Sequence, residues 1–320
     1  MRIRRVCVLG GTGFVGHHLA SALTRNNFRV TVLTRHRERH RELLVLPTLE
    51  LVEVNVHAAS DLGAALQGCD AVINLVGILN EWGRPGEDFQ AAHVTLPRQV
   101  AEACRANNIP RLLHMSALNA SVAAPSQYLR SKGEGERVLR AAAGSALALT
   151  ILRPSVVFGP GDALFNRFAR LLTRIPLIIP LPCPDARLAP VYVEDVVQAF
   201  LRALEDRQTW GRSYDLCGPR VYTLAELVSY TAEITGRRRH ILRLNARQSR
   251  RQARLLERFP SNPLSWDNYL TLQVPSICRE NGLLALGITP TGIEAVVPKY
   301  LGRHGKDDFY RVLRSTAGRG

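Results

Sequence analysis

Val6-Cys7-Val8-Leu9-Gly10-Gly11-Thr12-Gly13-Phe14-Val15-Gly16 lies near the start of the chain, an apolar run that passes straight into a glycine-rich turn. A short uninterrupted apolar run fits a strand covered on both faces. Gly11, Gly13 and Gly16 fit the G-x-G-x-x-G spacing of a dinucleotide-binding turn, and Gly10, Gly13 and Gly16 fit its G-x-x-G-x-x-G form. One glycine makes the tight turn, one lets the backbone approach a pyrophosphate, and one lets the following helix pack closely on the strand. The helix, over roughly Phe14 to Arg25, would aim free amide groups and a positive dipole end at that anion. Gly10, Gly11, Thr12, Gly13, Phe14, Val15 and Gly16 are therefore predicted to cradle a nicotinamide dinucleotide.

Working outward, Arg29 to Leu33, Leu49 to Val54, Asp70 to Val76, Arg111 to Met115 and Ala148 to Leu152 are further short apolar runs, with helical stretches between them, among them Phe89 to Ala106 and Gln127 to Ala142. That alternation predicts an α/β fold, a doubly wound parallel Rossmann sheet with ligands at the carboxyl ends of its strands. After Arg153-Pro154 the texture changes, and Ile175 to Asp185 carries four prolines, as an irregular covering loop would. The boundaries expected are a nucleotide-binding domain over 1–157, rejoined near 190–217, and a smaller, mainly helical substrate or lid region over 158–320. A tail after Arg314 is expected to be mobile.

The 320 residues suffice for a full core, and 46% hydrophobic with 22% charged residues is the balance of a folded soluble protein. Six scattered cysteines form no C-x-x-C pair and no metal-ligand spacing, so they read as buried thiols in a reducing compartment. The basic start before Val6 is followed by too short an apolar run for a signal peptide, and the apolar stretch near Leu171 to Leu181 is broken by Arg174, Pro176 and Pro180. A cytoplasmic protein is expected. The net charge of +15 permits attraction to nucleic acid, an anionic membrane or an acidic partner without choosing among them.

Where a domain preferring NAD places an acid, after the second strand, this chain has Thr34-Arg35-His36-Arg37. Arg35 could pair with a 2′-phosphate and stack on adenine, which predicts NADP(H) in preference to NAD(H). Tyr128 and Lys132 are four apart on a helix and share a face. In a nicotinamide site that lysine lowers the pKa of the phenol and holds the ribose, so Tyr128 is the candidate acid or base. Ser116, at the end of the fifth strand, is placed to hold a substrate oxygen. No metal site and no Ser-His-Asp arrangement is recognised.

Together these residues resemble the extended short-chain dehydrogenase/reductase superfamily along most of the chain. Leu152 to Gly161 is similar to its R-P-x-x-x-[YF]-G-P loop, and Pro190-Val191-Tyr192-Val193-Glu194-Asp195-Val196 to its later V-x-D-V signature. More narrowly, Ile73 to Gly77, His114 to Ala120, Tyr128 to Lys132 and Pro190 to Val196 resemble the atypical branch containing the dehydrogenase-like alpha-subcomplex subunit nine of respiratory complex I and its bacterial relatives. The resemblance implies cofactor contacts at Asn55 and Val56, at Val76 and Gly77, at Lys132, and at Pro154 and Val157. It implies hydride transfer to a carbonyl or to a small apolar, quinone- or isoprenoid-type substrate. The rival implication is a non-catalytic, nucleotide-stabilised accessory or assembly protein for a respiratory or quinone-related membrane enzyme. Three positions depart from the family: His93-Val94-Thr95-Leu96 replaces an asparagine opening the fourth helix, Asn55-Val56 an acid after the third strand, and Ser116-Ala117 a pair of hydroxyl residues. His93, Asn74 and Asn119 read as packing residues, with a proton relay the alternative for His93.

Arg237-Arg238-Arg239-His240 and the stretch Leu242 to Phe259 interleave Arg243, Arg247, Arg250, Arg251, Arg254 and Arg258 with Leu244, Ala253, Leu255, Leu256 and Phe259. Such a basic amphipathic helix either lies on an anionic membrane surface, at the inner face of the cytoplasmic membrane, or docks on a membrane-enzyme partner, or is a lid helix with arginines in water. A scaffold or sensor working through this basic face is the third class of reading. No nucleic-acid-reading motif accompanies the charge, so nucleic acid is not an expected partner.

Overall fold

The computed structural model describes residues 3–81, 84, 86–175, 177–237, 239–257 and 265–302. Pro176, Arg238, Arg258, Phe259 and the tail after Arg314 lie outside the described residues. Strands and helices alternate as β1 (Arg5–Leu9), α1 (Phe14–Arg25), β2 (Arg29–Thr34), β3 (Leu49–Glu53), α2 (Ala59–Ala65), β4 (Ala71–Asn74) and α3 (Glu87–Phe89). There follow α4 (Leu96–Ala106), β5 (Arg111–Met115), α5 (Gln127–Ala143), β6 (Ala148–Pro154), β7 (Val157–Phe158) and α6 (Leu164–Arg174). The second half runs β8 (Ile178–Leu181), β9 (Arg187–Leu188), β10 (Val191–Tyr192), α7 (Val193–Glu205), β11 (Ser213–Leu216), β12 (Tyr222–Thr223), α8 (Leu224–Ile234) and β13 (His240–Arg243). The last helices are α9 (Ala246–Leu256), α10 (Trp266–Leu272), α11 (Gly282–Ala285) and α12 (Ile293–Leu301).

Seven strands form one parallel sheet in the order β11-β6-β5-β4-β1-β2-β3, the doubly wound Rossmann arrangement that the strand–helix alternation predicts. The strand order reverses between β1 and β4, which places a crevice at their carboxyl ends. Helices cover one face of the central strands through an apolar cluster in which Cys7, Leu9, Val72 and Leu112 pack with Leu96, Val100 and Cys104 of α4 and with Leu62 of α2. Arg111 is buried in β5, where its guanidinium bonds the carbonyls of Ala148 and Ala203 and the hydroxyls of Thr150 and Thr209. The desolvation of this cation lowers its pKa to about 10.

The chain divides into two compact units. The first holds the sheet, with residues through Pro154, then Val196–Leu216 and Glu280–Ile288. The second holds Ser155–Asp195, Cys217–Arg279 and the described residues from Thr289 onward. The region from α8 to α12 is mainly helical, as expected. In the second unit Phe158, Phe165, Leu188, Leu227, Val228 and Val297 form a separate core. There Cys217 and Cys278 form a disulfide, which corrects the expectation of six thiols; Cys7, Cys69, Cys104 and Cys183 remain free.

α9 begins with a capping box between Asn245 and Gln248 and buries only Ser249 and Ala253, one turn apart. Arg250 and Arg254 lie over the ring of Trp266 in α10, at 5.8 and 5.0 Å from its centroid. No helix among the described residues is long and apolar enough to cross a membrane.

Candidate functional site

The glycine turn is built by close approach. Gly10 has φ +75°, a left-handed conformation that favours glycine, and a Cβ there would meet the backbone of Leu75 and Val76 at 3.0 Å. A Cβ on Gly16 would lie 2.3 Å from the carbonyl oxygen of Gly10, so α1 packs on the turn only because residue 16 has no side chain. Gly13 is the N-cap of α1, with no side-chain cap and no acid in the first turn. The first amides of α1 are thus left for an anion, which is the condition a pyrophosphate requires.

At the carboxyl ends of β4 and β5 a second cluster assembles. Lys132 is buried, and its Nζ donates to the carbonyl oxygen of Met115, 3.3 Å away. A Cβ on Gly77 would sit 2.9 Å from that Nζ and 3.6 Å from His93 Nε2. The loop after β4 therefore brings Gly77, Lys132 and His93 together. Burial lowers the Lys132 pKa to about 8, against the opposing pull of Glu136. Burial likewise raises the Tyr128 phenol to about 12. Ser126 caps α5 by accepting from the Leu129 amide, which starts the helix one residue before Gln127 and fixes the face shared by Tyr128 and Lys132.

His93 lies in a π-helical turn, Gln90–Thr95, that leads into α4. Its Nε2 accepts from the Ile78 amide at 3.1 Å, so the ring proton is assigned to Nδ1, which lies 2.8 Å from Ser131 Oγ. The Ser131 hydroxyl donates in turn to the carbonyl oxygen of Tyr128 at 2.8 Å. The ring stacks on Phe89 and meets Tyr128 edge-on, with centroids 5.3 and 5.6 Å away. Burial, then the Lys132 charge, lowers the His93 pKa to about 2; burial, then Lys132, lowers His114 to about 3. Both rings are neutral at neutral pH. His93 therefore ties the loop after β4 to α5, the packing role expected of it. Gly135 makes that contact close, since a Cβ there would lie 1.8 Å from the His93 carbonyl oxygen.

Ser116 is 3% exposed and its Oγ has no partner within the protein; the same holds for Asn74 Nδ2 and His114 Nδ1. Asn74 and His114 are register partners at the ends of β4 and β5. Three buried polar atoms at one strand end are the pattern of a surface built to meet a polar ligand. Pro154 closes β6 and accepts from the Leu118 amide at 3.0 Å, while Arg153 Nε donates to buried Glu136 of α5 at 2.8 Å. Val56 is buried in the core and Asn55 is exposed, its Oδ1 accepting from the His57 amide. Val76 packs on the same core, and Val157 lies in β7 of the second unit.

Glu53 went unrecognised in the sequence. It ends β3 in register with Thr34 and accepts a hydrogen bond from the Arg37 amide at 2.8 Å. A carboxylate thus stands at the end of β2 although none follows β2 in sequence, and only the strand pairing reveals it. Ser131, between His93 and the Tyr128 carbonyl, also went unrecognised; its place between Tyr128 and Lys132 was the available signal.

Sheet order, glycine turn and the Tyr128–Lys132 face define a Rossmann nucleotide-binding protein of the epimerase and dehydrogenase type. The chain belongs to the NAD dependent epimerase/dehydratase family, whose profile matches residues 6–217. It is 31% identical to the NADH dehydrogenase [ubiquinone] 1 alpha subcomplex subunit 9 of Rattus norvegicus over 96% of this chain and 81% of that protein. The Mus musculus counterpart is 34% identical over 72% of this chain, which spans 61% of that protein's length. A ceramide reductase of Caulobacter vibrioides is 31% identical over 75% of this chain and 73% of its own. In fold the chain is similar to MoeE5, solved with UDP-glucose and NAD, with TM-score 0.73 and 21% identity over 97% of this chain and 99% of that one. Sequence similarity reaches the respiratory subunits and the ceramide reductase, while the fold is shared with sugar epimerases, so the narrower branch is not singled out.

The expectation of NADP(H) is corrected by the same comparison. MoeE5 and the UDP-glucuronic acid 4-epimerase of Bacillus cereus, which share this fold, hold NAD. At the end of β2 Arg35 is exposed, and the Glu53 carboxylate stands opposite Thr34, where a negative charge would oppose a 2′-phosphate.

Proposed function

We propose that this protein is an NAD(H)-dependent oxidoreductase acting on a carbonyl or secondary hydroxyl carbon. The observation that carries the proposal is the meeting of Lys132, Gly77 and the Tyr128 face of α5 beside the unpartnered Ser116 hydroxyl. The glycine turn and the first amides of α1 would hold the pyrophosphate, Glu53 the ribose hydroxyls, and Lys132 the second ribose. NAD(H), when bound, supplies or accepts the hydride. Tyr128, protonated across the neutral range, gives its proton to the substrate oxygen. Ser116 holds that oxygen, and the Lys132 ammonium lowers the cost of the phenolate left behind.

Two substrate classes are proposed by analogy with the relatives: UDP-sugars, as bound in MoeE5, and ceramides, after the Caulobacter reductase. The test is a calorimetric titration with NADH and NADPH, followed by NADH oxidation with UDP-4-keto-sugars and 3-ketoceramide. NADH is expected to bind at least tenfold tighter, and Glu53→Gln to narrow that gap. Equal affinities in the unaltered protein would remove the role given to Glu53. Tight NADH binding without turnover on either panel would favour the non-catalytic accessory reading, which the near full-length match to the rat subunit supports.

A second reading concerns location. In the second unit, Leu177 is 76% exposed, Ile178 and Leu242 are exposed on the β8–β13 ribbon, and Leu255 is 58% exposed on α9. Exposed Arg247 and Arg251 extend from α9. We propose that this surface meets an anionic membrane, each engaged arginine adding about 1 kcal/mol. Co-sedimentation with phosphatidylserine vesicles should fall with salt and with Ile178→Ser/Leu242→Ser. No pelleting at low salt would remove this reading.

A further inference from the structure

Beside the nucleotide turn and apart from the Tyr128 cluster, His17, His40 and Glu42 bring one ligand atom each to within 4.8 Å of one another. His17 stands on α1, immediately after Gly16. The other two lie in the 3-10 segment Arg37–Val45 that follows β2. His40 is where that segment breaks, with φ −130° and ψ 33°. His17 Nε2 lies 3.4 Å from Glu42 Oε1, and His40 Nδ1 lies 3.5 Å from the same oxygen. Zinc bonds of about 2.0 to 2.1 Å set at tetrahedral angles place neighbouring ligand atoms roughly 3.3 to 3.4 Å apart. The two separations to Glu42 are therefore close to a tetrahedron's edge, and all three ligand atoms lie within 4.8 Å of one another.

We infer that His17, His40 and Glu42 form a binding site for a divalent transition-metal cation of the zinc type. Two imidazoles with one carboxylate suit zinc, cobalt or nickel, whereas magnesium and calcium take sites made of oxygen. Arg41, the nearest strong competitor in sequence for Glu42, is held by Glu38 instead. All three side chains are partly accessible, at 35% for His17, 28% for His40 and 55% for Glu42, so a hydrated cation can reach them and keep water as its fourth ligand. The bound cation would fasten the 37–45 segment to α1, beside the turn that carries Arg35 and the Glu53–Arg37 contact. It is a site apart from the Tyr128 cluster, and its test does not depend on turnover.

The experiment uses the full chain, stripped with EDTA, loaded with cobalt(II) and desalted. Metal analysis should find close to one equivalent, with visible absorption bands of four-coordinate cobalt that one equivalent of zinc abolishes. His40→Ala and Glu42→Gln should each weaken cobalt binding tenfold or more, while NADH binding shows that the variants are folded. His17→Gln/His40→Gln should retain none. Absence of stoichiometric metal in protein that still binds NADH would overturn the assignment. So would cobalt binding unchanged in His40→Ala, which would place the ion on other ligands.

Discussion

Tyr128→Phe is expected to abolish turnover, by on the order of a thousandfold in kcat, while NADH binds within about twofold of its original affinity. The substitution keeps the ring that packs edge-on against Phe89 and His93 and removes only the hydroxyl. Because burial raises the phenol to about 12 and lowers Lys132 to about 8, the pair has a defined pH behaviour. Tyr128 stays protonated through the neutral range and is a donor, which favours the reductive direction. As pH rises through about 8 the Lys132 ammonium is lost, and with it the charge that stabilises a developing phenolate. The reductive kcat should therefore decline on the alkaline side. Steady-state kinetics on whichever carbonyl substrate is turned over, from pH 6 to 10, together with NADH titration of the variant, checks both statements. Turnover retained in Tyr128→Phe would remove Tyr128 from the chemistry and leave the fold assignment untouched.

Acid should weaken the fold steeply, with His93 and His114 making comparable contributions. In the folded protein His93 and His114 titrate at about 2 and about 3, against an ordinary value of 6.5. Between those limits the unfolded chain binds more protons than the native one, so stability is lost as pH falls below 6.5. From pH 6.5 to 4.5 the two rings together cost on the order of 4 kcal/mol. His93→Asn removes one of them: the amide oxygen can still accept from Ile78, and nothing there titrates. Urea unfolding followed by circular dichroism at the two pH values should show a loss about 2 kcal/mol smaller in the variant. An identical loss in both proteins would mean that His93 is protonated without cost in the native state.

The glycine turn and the Tyr128–Lys132 face were legible because each is a local pattern. Close backbone approach and the helical repeat are encoded in residues a few positions apart, and six of the seven parallel strands follow from short apolar runs. The carboxylate at the end of β2 was not legible. Glu53 follows β3, and only the pairing of Thr34 with Glu53 carries it to the end of β2, where the sequence shows Arg35 alone. Neutral His93 and His114, and the depressed Lys132, come from burial at one strand end, a property of the assembled sheet and α5. Cys217 and Cys278 are 61 residues apart and pair only because the second unit folds them together. The arginines of α9 read from sequence as a uniform basic face, but Trp266 engages two of them, and the helix docks through Ser249 and Ala253. Local spacing therefore determined the fold class and the core of the nucleotide site. Charge and protonation depended on which distant strand or helix supplied the neighbouring group, because electrostatic interactions and desolvation act through space rather than along the chain.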